Sequence, residues 1–123
     1  MGKKQKEVSD ESLVDTIIEA IREKKGQQIV KLDLQELKNT VCSYFIICQA
    51  ESNTQVNALA ENIEKQTSLK LKVPPHHIEG RINSQWVLLD YFGVVVHVFQ
   101  REFRDFYKLE DLWSDGKLEL ITE

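Results

Sequence analysis

"WVLLDYFGVVVHVF", Trp86 to Phe99, decides the fold. Two apolar, β-rich runs, WVLLDY and VVVHVF, are separated only by Phe92-Gly93, so the stretch reads as a hairpin with a two-residue loop. Gly93 accepts positive φ, whereas Phe92 resists a type I′ turn, which demands it at both central positions; a type II-like or distorted turn is expected. Pairing then runs Tyr91–Val94, Asp90–Val95, Leu89–Val96, Leu88–His97, Val87–Val98 and Trp86–Phe99. Alternation puts Val87, Leu89, Tyr91, Val94, Val96 and Val98 on one face, a conventional core surface. The other face carries Trp86, Leu88, Asp90, Val95, His97 and Phe99. There Asp90 and His97 are diagonal neighbours within hydrogen-bonding reach, and Trp86 lies opposite Phe99. An aromatic patch with a few polar handles is the composition of an interface hot spot. The same residues also read as core beneath a C-terminal helix, with Asp90 supporting the turn and His97 a satisfied buried histidine. On the pattern alone, both readings stand.

Working outward, residues 1–7 read as a flexible, solvated tail and residues 8–123 as a single domain. Ser9 or Asp10 caps a helix whose Leu13, Val14, Ile17, Ile18 and Ile21 share one face; Arg22, Lys24 and Lys25 suit its C-terminal end, and Gly26 lies just beyond. QQIVKLDL reads as a short strand, and DLQELKNT as a turn with Leu34 and Leu37 tucked inward. SYFIICQ, Ser43 to Gln49, is apolar on both faces, as an inner strand requires. Ser52 and Gln55 make a capping box, and Val56, Leu59, Ala60 and Ile63 follow at helical spacing. Pro74-Pro75 stops that helix and forces an extended segment. EFRDFYKLEDLW suggests helical turns packing back on the sheet, and SDGKLELITE a last edge segment. The order is α-β-β-α-(β)-β-β-α: an α/β (α+β) chain with a single mixed β-sheet and helices packed on it.

Composition excludes several classes. The chain has 123 residues, 41% hydrophobic and 29% charged, enough for one core in one domain. No run approaches the roughly 18 apolar residues of a membrane helix, and MGKKQKEVSD lacks the apolar region of a secretory signal. Gly2 would suit myristoylation, but Lys6 stands where that motif needs Ser or Thr. Cys42 and Cys48, six positions apart, form neither a disulfide framework nor a standard metal spacing, so reduced thiols and a cytoplasmic location are expected. The net charge is −4, with only small basic clusters at Lys3–Lys6 and Arg22–Lys25. No Lys or Arg lies between Gln85 and Gln100, so direct nucleic-acid contact is not expected and a basic protein partner is electrostatically easier.

WVLLDY followed by VVVHVF and then FYKLEDLW resembles the ribosomal silencing factor family, RsfS, also called Iojap. SYFIICQAESNTQVNALAENIE looks like that family's strand, loop and capped helix, and Glu79-Gly80 matches its approach to the hairpin. The resemblance runs from about Leu13 to Trp113. It implies a nucleotidyltransferase-like topology, homodimers, and binding to the fourteenth large-subunit ribosomal protein, a small basic protein at the subunit interface. Occupying that surface would block association of the small and large subunits and repress translation. Carried over by position, Trp86, Leu89, Asp90, Tyr91, His97, Phe106 and Tyr107 are the partner-binding residues, with Trp86 as anchor and Asp90 as acceptor for a basic side chain. The chain departs from the family at the hairpin tip, where Phe92-Gly93 replaces Gly-Asp; Phe92 is expected to supply an apolar contact there. It also departs at Ser43, where the family has Asp, and at Gln49-Ala50-Glu51, where the family has a Gly-containing stretch.

The alternative is a degenerate nucleotidyltransferase-fold enzyme or nucleotide-binding protein. Nucleotidyl transfer needs a glycine-serine loop for phosphates and carboxylates for Mg²⁺. No glycine lies between Gly26 and Gly80, and SYFIICQ contains no acid. His76-His77 would point to opposite sides of a strand without a third ligand, and Cys48 falls in the expected inner strand, where thiols are inert. No catalytic residue, metal or cofactor is therefore expected, and a binding module is favoured over an enzyme.

Overall fold

The computed structural model describes residues 8–37, 42–107 and 116–123, and the side chains of Phe106 and Tyr107 lie outside that description. Helix α1, Asp10–Glu23, starts at Ser9, whose hydroxyl accepts from the Ser12 N–H at 3.0 Å. It ends in a tight turn in which Lys25, not Gly26, has the left-handed backbone (φ +61°). Gly26 is needed for another reason: a Cβ there would collide with the Ile21 side chain. Strand β1, Gln27–Asp33, bulges near Gln28 (φ +51°). Strand β2, Tyr44–Ala50, is buried at every position. Ser52 caps α2, Asn53–Leu71, and Gln55 reaches back to the Glu51 N–H, one residue beyond the Ser52 N–H of the expected reciprocal bond. Left-handed Lys72 then closes α2 before Pro74-Pro75.

The remaining elements are β3, His77–Glu79; β4, Trp86–Asp90; β5, Val94–Gln100; α3, Arg101–Tyr107; and β6, Lys117–Ile121. The six strands form one mixed sheet in the order β3-β4-β5-β2-β1-β6. Only β2 and β5 pair in parallel; the other neighbours are antiparallel. The α+β class, the inner strand, the optional strand after Pro74-Pro75 and the closing edge strand all match the expectations from sequence. Leu109, Leu112 and Trp113 lie outside the described residues.

Alternation divides the core. Tyr44, Ile46 and Cys48 of β2, Val87, Leu89 and Tyr91 of the β4 side, and Val94, Val96 and Val98 of β5 all point towards α1 and α2. The opposite face gathers Val30, Leu32, Leu34, Cys42, Phe45, Ile47 and Phe99, with Trp86, Val95, Leu37 and Phe103 packed against them. The chain therefore places two long helices on one face, and Phe103 of α3 with Leu34, Leu37 and Cys42 on the other.

The β3–β4 connection is held by backbone as well as side chains. Gly80 has φ +89°, its carbonyl accepts from the Ser84 N–H at 2.9 Å, and a Cβ on it would run into the carbonyl of Trp86. Arg81 spans to Glu61 and Glu64 of α2 at 3.4 and 3.3 Å. Gly80→Ala combines a backbone conformation reserved for glycine with a collision against main chain, and should cost about 3 kcal/mol. Urea denaturation followed by circular dichroism should show a lower midpoint with an unchanged slope.

A candidate protein-binding face on the hairpin

The observed register is the one read from the sequence: Trp86 opposite Phe99, Val87 opposite Val98, Leu88 opposite His97, Leu89 opposite Val96 and Asp90 opposite Val95. The loop differs. Phe92 takes the positive φ (+71°), and among the described glycines only Gly80 does so. The Gly93 N–H reaches back to the Tyr91 carbonyl at 3.0 Å, forming a γ-turn, while the Tyr91 N–H bonds the Val94 carbonyl at 2.8 Å. A Cβ on Gly93 would meet the end of the Asp10 side chain, which would have to shift, and the Gly93 carbonyl accepts from the N–H groups of Ser43 and Tyr44. The left-handed torsion of the loop lies on Phe92 and not on the glycine.

Asp90 and His97 do not bond each other. Asp90 Oδ1 accepts from the Phe92 N–H at 2.8 Å, supporting the turn. His97 Nδ1 accepts from the Trp86 Nε1–H at 3.1 Å. The diagonal spacing was right, but each side chain met a nearer donor first: a backbone N–H two residues along for Asp90, an indole N–H for His97. His97 is buried beneath a ring cluster, with Phe45 edge-on at 4.8 Å and Trp86 at 5.9 Å, and Trp86 stacks on Phe99 at 5.0 Å. With Nδ1 accepting, the neutral imidazole carries its proton on Nε2, which is buried and has no partner among the described residues. Burial lowers its pKa to about 4, so the ring is neutral at physiological pH.

The remaining sequence-derived candidates separate. Leu89 is completely buried in the core under the helices. Tyr91 is buried there too, its hydroxyl 2.9 Å from Thr67 Oγ1 and its pKa pushed up to about 12 by desolvation. Both were expected at a partner surface, and both correct that expectation: alternation had already put them on the core side. His97 likewise lies behind the face rather than on it. Trp86 and Asp90 remain partly exposed, and Phe92 is 62% exposed at the tip. Phe106 and Tyr107 end α3, but their side chains lie outside the described residues.

Two features were not found from the sequence. Gly80, Asn83, Gln85 and Phe103 form with Trp86 a recess of about 110 Å³. His76 lies against Phe92 with ring centroids 4.0 Å apart and the planes tilted by 37°. The recess depends on the path of the β3–β4 connection, for which only the glycine was a signal; the tilted ring pair forms where the His76 N–H bonds the Asp90 carbonyl just after Pro74-Pro75. Elsewhere, Gln28, Gln49, Arg101, Arg104 and Asp105 line a polar recess of about 370 Å³. Cys48 is fully buried and desolvation pushes its thiol up to about 12, far from a reactive thiolate. No helix among the described residues is long and apolar enough to cross a membrane, and none of their His, Cys, Asp and Glu side chains form a group of three or more able to hold a metal.

The family model for ribosomal silencing factor during starvation, RsfS, matches residues 6–123. The chain belongs to the ribosomal silencing factor family. It is 34% identical to the ribosomal silencing factor RsfS of Bacillus subtilis, over 90% of this chain and 92% of that protein. It is 33% identical to the RsfS of Halalkalibacterium halodurans, over 89% and 92%. A crystal structure of a Chromobacterium violaceum protein superposes with a TM-score of 0.82 at 31% identity, covering 94% of this chain and 95% of the other. The nucleus of the RsfS resemblance, the hairpin, is thus part of a likeness that spans nearly the whole chain.

The neutral His97 predicts an acid-sensitive fold. Its pKa falls from the ordinary 6.5 to about 4 on folding, so the unfolded chain takes up the proton first as pH drops. The contribution is intact above 6.5 and is lost progressively down to about 4, with an upper limit of ~3 kcal/mol. His97→Gln, which keeps an acceptor for the indole, should lose less stability than the wild type between pH 7 and pH 4.5 in urea titrations. Equal losses would show that His97 does not carry the acid sensitivity.

Proposed function

We propose that this RsfS-family chain silences ribosomes by binding a large-subunit ribosomal protein through the Trp86 face of its hairpin and sterically blocking association with the small subunit. The reading takes the fourteenth large-subunit protein, a small basic protein at the subunit interface, as the partner. It needs no chemistry, cofactor, metal or nucleic-acid contact, because excluding one subunit requires only a bound wedge; the chain acts in the cytoplasm as a repressor of translation rather than as an enzyme. Self-association into a homodimer, which the family resemblance implies, belongs to the same reading.

The observation that carries it is the presentation of Trp86. The indole is stacked on Phe99, its N–H is fixed by His97, and it borders the recess formed by Gly80, Asn83, Gln85 and Phe103. A large ring held in one orientation loses little entropy on binding, the property that makes tryptophan common at hot spots. Asp90, also on this face, adds a carboxylate that favours a basic partner. Phe92 at the tip and Phe106 and Tyr107 of α3 complete the proposed contact set, with Leu89, Tyr91 and His97 supporting it from behind.

Trp86→Ala should reduce co-sedimentation with isolated large subunits by at least tenfold while far-ultraviolet circular dichroism is unchanged. Full binding by a folded Trp86→Ala protein would remove the hairpin face from the proposal. Asp90→Asn keeps an oxygen acceptor for the Phe92 N–H but removes the charge, so it should slow association at low salt and leave thermal stability nearly unaltered. An unchanged association rate would confine Asp90 to the turn.

A further inference from the structure

Phe92 is an unusual residue to find where it stands. Its φ of +71° is readily adopted by glycine and disfavoured for a bulky side chain, yet the ring is 62% exposed and fills no core position. The exposed ring is backed on one side by His76 at 4.0 Å. His76 is itself held to the hairpin, its N–H donating to the Asp90 carbonyl at 2.8 Å, just after the stiff Pro74-Pro75 segment. Two carboxylates stand at this turn. The Asp90 carboxylate bonds the Phe92 N–H, the Asp10 carboxylate lies against Gly93, and the hairpin supplies no cation between Gln85 and Gln100. Burial raises the pKa of the Cys42 thiol, and the Asp90 and Asp10 carboxylates each raise it further.

We propose that the Phe92–His76 ring pair, flanked by Asp90 and Asp10, is a seat for an arginine side chain of the partner protein. A guanidinium stacks on an aromatic face while its N–H groups meet carboxylate oxygens, and this tip offers both at once. A purely apolar partner group would gain the ring but desolvate two carboxylates without compensation. A second copy of this chain would bring the same negative charges. The seat lies at the opposite end of β4 from Trp86, roughly 20 Å along the strand at 3.3 Å per residue, within the span of one ordinary interface. This inference rests on the hairpin being the partner-binding face, and it adds a specific role for Phe92 and brings Asp10 and His76 into the contact.

The test compares the folded full-length protein and its variants for urea stability and for affinity to isolated large subunits. Phe92→Gly should raise the urea midpoint, because the torsion is relieved, and should weaken binding about fivefold, the loss of one cation–aromatic contact. Phe92→Leu should bind as weakly as Phe92→Gly, and Phe92→Trp at least as well as the wild type. Asp10→Asn should weaken binding and reduce its salt dependence. Wild-type affinity for Phe92→Gly, or for Phe92→Leu, would overturn the arginine seat. Loss of binding in Trp86→Ala with none in Phe92→Gly overturns the seat alone and leaves the hairpin face standing. Unchanged binding in both overturns both readings.

Discussion

The parallel pairing of β2 with β5 is the constraint on which the rest of the molecule depends. Its register runs without interruption from Tyr44 opposite Val94 to Ala50 opposite Gln100. Parallel neighbours cannot be joined by a tight turn, so the chain must leave the end of β2 and travel back before β5 can begin. Helix α2 makes that return across one face, and α1 packs beside it. This commits Val94, Val96 and Val98 to the helical side and, through the antiparallel pairing of β4, Val87, Leu89 and Tyr91 as well. Trp86, Asp90 and Val95 are left to the other face by alternation alone. A one-residue slip between β2 and β5 would bury Trp86 and Asp90 under the helices and expose the valines, so which side chains the hairpin presents is set by the core.

That logic explains why so much was legible from the sequence. Apolar alternation, the two-residue loop and the capping residue Ser52 are local signals with backbone consequences, and the hairpin register, the inner strand and α2 followed from them. Hydrogen-bond choice is different. Asp90 and His97 occupy the predicted diagonal, but Asp90 chose a backbone N–H and His97 an indole. Spacing limits which groups can meet; competition among donors decides which do. The tip shows the same limit. A rule that glycine takes the positive φ put the left-handed torsion on Gly93, whereas Phe92 carries it in a γ-turn closed by the Gly93 N–H on the Tyr91 carbonyl. The assignment of Leu89 and Tyr91 to a partner surface came from family position and contradicted the face assignment made from alternation, and alternation was the better guide.

The two polar residues that break the apolar run serve the same purpose at opposite ends of the ribbon. A tryptophan packed against Phe99 must satisfy its indole N–H, and the neutral Nδ1 of His97 does so from the neighbouring strand. A phenylalanine in a positive-φ turn must have its N–H satisfied in an irregular backbone, and Asp90 Oδ1 does so from two residues away. His97 therefore fixes the orientation of the Trp86 ring, and Asp90 fixes the backbone that carries Phe92. Fixing them has a cost: His97 keeps a buried Nε2 without a partner among the described residues, and Phe92 keeps its strained torsion. A glycine at 92 would relieve the torsion, whereas an aliphatic residue at 97 would take away the Nδ1 that the Trp86 indole N–H bonds. That the chain instead combines costly support with partly exposed rings is the pattern expected when rigidity of a surface, rather than stability of the fold, is what the hairpin is built to supply.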